Sequence, residues 1–141
     1  MNAKDLMSTN VECISPQTAL IEAAQKMKSL DIGFLAVCEN DRIVGALTDR
    51  DIVVRAVAAG KDLHQYTARD VMTTDVFWSF EDQTADEVAE YMAEREIRRV
   101  LILDRKKRLA GVISIGDLAK AHGKKAGETM RDIAQAPSQA A

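Results

Sequence analysis

Two stretches of the chain carry residue types that chemistry could use. Residues 45–52 read GALTDRDI and residues 111–118 read GVISIGDL. Each places a hydroxyl, Thr48 or Ser114, three residues ahead of a carboxylate, Asp51 or Asp117. The aliphatic run before each hydroxyl reads as a strand, so the carboxylate falls on the first turn of the helix that follows. A hydroxyl and the free N–H groups of a helix start suit a phosphate. A carboxylate that accepts two hydrogen bonds suits the vicinal hydroxyls of a ribose. The same Ser/Thr-x-x-Asp spacing also caps a helix with no ligand involved, and one stretch taken alone reads as a cap first.

Other candidate chemistry is sparse. His64 and His122 have no Ser, Cys or Asp spaced as a nucleophile–base pair, and both read as surface residues. Cys13 and Cys38 are too few for a disulfide scaffold and form no CxxC, so no metal site is expected. Two buried free thiols in a reducing cytosol are the expectation for them, with a redox-sensitive bridge as the alternative. The run DRKKR (104–108) reads as a solvated basic turn. No Walker A loop and no GxGxxG is present, so neither a nucleotide hydrolase nor a dinucleotide-dependent enzyme has support. The net charge of −3 lacks the basic excess of a nucleic-acid binder. No apolar run approaches the roughly 20 residues of a membrane span, and the polar start MNAKDLMSTN has no signal core. The expected location is the cytoplasm.

The elements that must position the two stretches follow from an internal repeat. A shift of 65 lays KDLMSTNV (4–11) on RDVMTTDV (69–76) and FLAVCE (34–39) on RVLILD (99–104). One extra residue in DRKKRLAG moves the offset to 66, which pairs Gly45 with Gly111, Thr48 with Ser114 and Asp51 with Asp117. Helical spacing of apolar residues recurs over 18–30 and 83–95, with Thr18 and Asp86 near the helix starts. FLAVC and RVLIL read as buried strands, and the polar turns ENDR and DRKKR make IVGALT and LAGVIS their hairpin partners. Short strands near Glu12–Ile14 and Phe77–Ser79 precede the helices, and DIVVRAVAA and DLAKAHGKK follow as second helices. The unit is β-α-β-β-α, written twice. The expected boundaries are 1–62 for repeat one, 63–125 for repeat two, and 126–141 for a final helix (126–134) and frayed tail. With 47% hydrophobic residues and 4% aromatic, the shared core is aliphatic.

The doubled pattern (DLMSTNV, IGFLAV, GALTDRDI, then DVMTTDV, IRRVLILD, GVISIGDL) resembles a tandem pair of CBS (cystathionine beta-synthase) domains, a Bateman module, over about residues 3–123. The resemblance implies an α/β (α+β) fold of two pseudo-twofold-related units packed sheet to sheet, with clefts that hold adenine nucleotides, and pairing into a disc-like homodimer. It implies that Asp51 and Asp117 bind ribose and that Thr48 and Ser114 face phosphate. It implicates Arg98 and Arg99, at the place of a basic pair in nucleotide-sensing members, where repeat one has Gly33 and Phe34. One cleft would join Arg98, Arg99, Ser114 and Asp117 to Lys4, Met7, Val11 and Ile32. The other would join Thr48 and Asp51 to Arg69, Met72, Val76 and Ile97. The first should grip phosphate better, because guanidinium bonds to it are charge-assisted. Trp78 could stack on a base, but reads first as a core or interface aromatic.

The expected function is therefore regulatory and non-enzymatic: AMP, ADP or ATP binds reversibly and a partner protein receives the signal. There is no catalytic cofactor, no nucleic acid and no membrane partner in this reading. Two alternatives stay open: a ligand-free dimeric scaffold, and a sensor of NAD or S-adenosylmethionine.

Overall fold

The computed structural model describes residues 1–121 and 133–134. The final helix expected over 126–134 and the tail APSQAA lie outside them, apart from Ile133 and Ala134. In chain order the elements are α1 (Ala3–Leu6), β1 (Cys13–Ile14), α2 (Leu20–Leu30), β2 (Phe34–Glu39), β3 (Arg42–Thr48) and α3 (Asp49–Asp51). A π-helical stretch, Ile52–Val57, continues α3. There follow α4 (Ala68–Val71), β4 (Trp78–Phe80), α5 (Ala85–Arg95), β5 (Arg99–Leu103), β6 (Leu109–Ser114) and α6 (Ile115–Ala121).

The chain divides into two compact units. One is continuous, Glu12–Val76; the other is split, joining Met1–Val11 to the chain from Phe77 onward. The two cuts are 65 residues apart, the offset of the repeat. They fall elsewhere than the boundaries of the duplicated segments, 1–62 and 63–125. Pairing at a distance is what moves them. Thr73 exchanges both backbone hydrogen bonds with Ala46, at 2.9 Å each, which ties the segment after α4 to β3. Ser8 does the same with Val112 at 2.9 and 3.0 Å, which ties the start of the chain to β6.

The continuous unit holds a three-stranded sheet in the order β1-β2-β3, with β1 parallel and β3 antiparallel to β2. Asn40 and Asp41 both take positive φ (53° and 63°), so ENDR closes a two-residue hairpin with residues that tolerate that conformation. Leu20, Ala23 and Met27 of α2 pack on Leu35, Val37 and Leu47 of the sheet and on Ile52, Ala56, Ala68 and Val71. The helix starts at Leu20 with Ala19, not Thr18, at its cap, and no side chain caps it. The carbonyls of Tyr66 and Leu63 take its first N–H groups instead, both at 3.0 Å.

The split unit repeats the plan as β4-β5-β6. Val88, Ala89 and Met92 of α5 pack on Val100, Ile102, Ile113 and Leu118, and Ala3 and Ile133 join them. Here a side chain does cap the helix. Thr84 Oγ1 accepts the Glu87 N–H and Glu87 Oε1 accepts the Thr84 N–H, both at 3.1 Å. Asp86, expected near the cap, lies one residue inside the helix. Both long helices stop alike, with Asp31 and Glu96 in the left-handed region at φ 54° and 59°. The extra residue of repeat two lies in the Asp104–Arg108 turn. Asp104 Oδ1 accepts the N–H groups of Lys106 and Arg108 at 2.8 and 3.0 Å there.

Candidate functional site

The two repeated stretches form matching boxes at matching strand ends. Thr48 ends β3, and its N–H donates to Asp51 Oδ2 at 3.0 Å while Asp51 N–H donates to Thr48 Oγ1 at 3.0 Å. Ser114 ends β6, and its N–H and hydroxyl donate to Asp117 Oδ2 at 2.9 and 3.1 Å. Asp117 N–H returns a bond to Ser114 Oγ at 3.2 Å. Both motifs are thus helix caps in fact, and each box uses one carboxylate oxygen of its aspartate.

The other oxygen separates the two. Asp51 is 2% exposed, and its Oδ1 lies 3.8 Å from Arg55 Nε, one turn along the helix. Arg55 Nη1 also donates to the carbonyls of Val71 and Met72 at 3.3 and 3.4 Å. Asp117 is half-buried, and Ala121 stands four residues after it where Arg55 follows Asp51. The ribose candidate of the continuous unit is therefore committed to an internal cation, and that of the split unit has no cation at that place.

Register brings the arginines to the second box. Arg99 is the cross-strand partner of Ser114, and Ile115 N–H donates to the Arg98 carbonyl at 3.0 Å. Arg98 is exposed and Arg99 half-buried. In the continuous unit Phe34 faces Thr48 and Asp49 N–H donates to the Gly33 carbonyl at 3.0 Å. A Cβ at Gly33 would meet the Asp49 carboxylate at 2.7 Å. The same corner thus carries an exposed acid beside Gly33 in one unit and the Arg98–Arg99 pair in the other.

The glycine of each motif has a separate task. A Cβ on Gly45 would come within 2.7 Å of Met72 Sδ and 2.9 Å of the Thr73 carbonyl. One on Gly111 would come within 2.7 Å of both Met7 Sδ and the Ser8 carbonyl. Hydrogen at these positions is what lets the DLMST and DVMTT segments lie against their strands. Met7 and Met72 are seated by this contact. Lys4 and Arg69 are not brought to the boxes. Lys4 N–H donates to the Glu81 carbonyl, and Glu81 N–H donates to that of Leu103, at the turn end of β5. Arg69 Nη2 pairs with Glu39 Oε2 at 3.0 Å, at the turn end of β2. A six-residue strand spans roughly 20 Å, so the Arg69 guanidinium lies about a strand length from Thr48. Val11 and Val76 are half-buried at the ends of their units, Ile32 is half-buried between α2 and β2, and Ile97 and Met72 are buried in the cores.

Of the remaining candidates, Trp78 stacks edge-on against Phe80 at 5.0 Å between ring centres. The basic turn is held by ion pairs. Arg105 grips Asp82 with two bonds of 2.7 and 2.8 Å and covers the Phe80 ring at 4.1 Å, and Arg108 pairs with Asp104 at 3.0 Å. His64 is exposed beside Asp62, with 3.3 Å between Nδ1 and Oδ1. His122 lies outside the described residues. The cysteines differ from expectation: Cys13 is exposed, Cys38 is half-buried, and their sulfur atoms are 2.7 Å apart. Among the described residues no cluster of three or more His, Cys, Asp or Glu could hold a metal, and no helix is long and apolar enough to cross a membrane.

The chain is similar to Hypoxic response protein 1 of Mycobacterium tuberculosis (strain ATCC 25618 / H37Rv), at 35% identity over 119 residues, 84% of this chain and 82% of that protein. It superposes on the crystal structure of Hypoxic Response Protein I with two coordinated zinc ions with a TM-score of 0.75 and 34% identity, covering 86% of this chain and 98% of that one. It also superposes on the CBS domain pair of protein MJ0100, in complex with 5′-methylthioadenosine and S-adenosyl-L-methionine, with a TM-score of 0.74 and 26% identity over 86% and 98% of the two chains. The CBS domain profile matches twice, over residues 3–57 and 68–124. These two matches take in both capping boxes and both glycine-seated segments, and the chain belongs to the CBS domain family.

Proposed function

We propose that the chain is a regulatory module that senses an adenine nucleotide, with the phosphate-bearing ligand held at the Ser114 end of β6. The observation that carries this reading is the register that sets Arg99 opposite Ser114, with Asp117 on the next helical turn. Guanidinium, hydroxyl and a helix start are donors for phosphate, and a carboxylate with one oxygen outside its cap is an acceptor for ribose hydroxyls. The Thr48–Asp51 end serves as the weaker site, because Arg55 lies against the second oxygen of Asp51 and the Asp49 carboxylate, beside Gly33, would repel a phosphate. In this reading Met7 and Val11 supply the apolar side of the stronger site, and Val76 that of the weaker one. Lys4 and Arg69 contribute only long-range positive potential. The two repeats, 1–62 and 63–125, act as one module that performs no chemistry on its ligand, works in the cytoplasm and passes the signal to a partner protein.

A panel of AMP, ADP, ATP, NAD, S-adenosylmethionine and 5′-methylthioadenosine in a thermal-shift experiment tests the proposal. Binding to the folded state stabilises by about 2.7 kcal/mol at a hundredfold excess over Kd. A selective rise with a phosphorylated adenosine supports the reading. No rise with any of them at millimolar concentration overturns it and leaves a dimeric scaffold.

A second reading has its own support. The MJ0100 domain pair holds 5′-methylthioadenosine and S-adenosylmethionine. A rise confined to those two compounds would assign the aspartates to ribose and leave the arginines without a phosphate to bind. For assembly, Val53, Val54 and Val57 stand 57%, 48% and 53% exposed on the π-helical stretch. They are the surface we propose for the homodimer, which light scattering of Val54→Glu against the parent chain would test.

A further inference from the structure

The cysteine pair stands apart from the boxes and belongs to one unit alone. Cys13 lies on β1 opposite Ala36, and Cys38 follows two residues later on β2. Residues two apart on a strand share a face, so the register turns both side chains to the same side of the sheet. The pairing of β2 with β3 slips between Val37 and Cys38, so the second thiol sits at a local irregularity. The sulfur atoms are 2.7 Å apart, a thiol–thiol contact between free cysteines. The matching positions of the split unit are Trp78 and Leu103.

We propose that Cys13 and Cys38 form a thiol–disulfide switch that hydroperoxides oxidise. The exposed Cys13 thiolate attacks the peroxide oxygen and the O–O bond breaks. Hydroxide leaves and takes a proton to become water, and Cys13 becomes a sulfenic acid. Cys38 then gives up its proton, and its sulfur attacks the sulfenic sulfur and expels the oxygen as a second water. In sum, two thiols and one hydrogen peroxide give one disulfide and two waters: the sulfurs lose two electrons and the peroxide gains them. A reductant of the dithiol class reverses the change by exchange.

The surroundings suit the division of labour. The hydrogen bond shared with Cys38 holds the Cys13 thiol below its ordinary range, against burial and the Glu12 and Asp41 carboxylates, with the Lys26 ammonium assisting. The same hydrogen bond, then burial, pushes Cys38 far up and keeps it protonated until the resolving step. The disulfide would tie β1 to β2 and enclose α2 in a closed loop. β2 is the strand whose other edge carries β3 and, at its end, Thr48. The switch would therefore stiffen one unit and leave the other unchanged.

The test uses the full chain, reduced and then freed of reductant, with hydrogen peroxide as the probe. Trypsin separates the thiols into peptides 5–26 and 29–42. The expected result is a loss of two hydrogens in intact mass, the two peptides joined, and a monomeric band on a non-reducing gel. The Cys38→Ser variant should give a sulfenic acid at Cys13 that dimedone traps. The Cys13→Ser variant should react about tenfold more slowly. An intact mass that only gains oxygen, or peptides joined solely within a covalent dimer, overturns the proposal. So does equal peroxide reactivity of the two variants.

Discussion

Arg55 lies one helical turn after Asp51, with Nε 3.8 Å from Oδ1, and closes the buried carboxylate against its own unit. Arg55→Ala should destabilise the chain by about 1 kcal/mol, since the arginine is half-exposed and the pair partly screened. Arg55→Lys should recover part of the charge interaction but not the bonds to the Val71 and Met72 carbonyls. Denaturant midpoints of the three chains measure this. A midpoint unchanged in Arg55→Ala would remove the asymmetry between the two boxes.

That asymmetry predicts opposite rankings for stability and for binding. Asp51→Ala removes a cap worth about 0.5–2 kcal/mol and strands Arg55, so it should lower the melting temperature more than Asp117→Ala. Asp117→Ala should lose at least about tenfold in adenine-nucleotide affinity, the order of one charged hydrogen bond, and Asp51→Ala much less. Calorimetric titration alongside thermal melts separates the two effects. Equal loss of affinity in both variants would refute the assignment.

Arg98→Ala addresses the ligand's charge. It should weaken AMP by about tenfold or more while leaving 5′-methylthioadenosine, which has no phosphate, within about twofold. Fluorescence competition with both compounds reads the difference. Parallel losses would move Arg98 from phosphate contact to a structural part.

The glycines carry a steric prediction. Gly111→Ala drives a methyl group into Met7 and the Ser8 carbonyl, and Gly45→Ala into Met72 and the Thr73 carbonyl. Each should cost about 1–3 kcal/mol. Hydrogen exchange should show the Ser8 and Val112 amides losing protection in Gly111→Ala and the Thr73 and Ala46 amides losing it in Gly45→Ala. Protection unchanged at these sites would mean the segments are not seated by the glycines.

Acid should act on the split unit first. Asp82, held low by its hydrogen bonds to Arg105, Glu87, held low by the Thr84 N–H and hydroxyl, and Asp104, held low by the Arg108 N–H, all lie there. A depressed carboxylate contributes stability above its unfolded-state pKa and loses it as pH falls through the folded one. The melting temperature should therefore decline as pH drops from the ordinary carboxylate range to below it. Thr84→Ala should flatten part of that decline. A profile identical in Thr84→Ala would show that the Thr84 hydroxyl has no share in it, since the variant keeps the N–H.

Much of this was readable before any coordinates. FLAVC and RVLIL are strands because uninterrupted aliphatic runs between turn residues have few other uses. The boxes were legible as Ser/Thr-x-x-Asp because capping is local. The Asp51–Arg55 pair is equally local, at helical spacing in DRDIVVR, but the burial of Asp51 that gives it weight is not visible in sequence. The seating of the DLMST and DVMTT segments was not legible, because nothing in those residues names Val112 or Ala46 as partners. The place of Arg69 is illegible for the same reason: the repeat matches it to Lys4 and does not say which strand end it reaches. The bridge between Cys13 and Cys38 is legible only as an alternative, because the short strand at Glu12–Ile14 can be expected from sequence but its register on β2 cannot.

The division of the chain also sets an order of assembly. A ribosome that has released Glu12–Val76 has released every residue of the continuous unit, and that unit can close at once. Residues 1–11, made before it, have no strand to join until Val112 emerges. Their apolar side chains Leu6 and Met7 are exposed during that interval. Residues 1–11 precede the continuous unit in the chain and are buried after it, so a translational pause after the first repeat would leave a folded unit joined to an uncovered apolar segment.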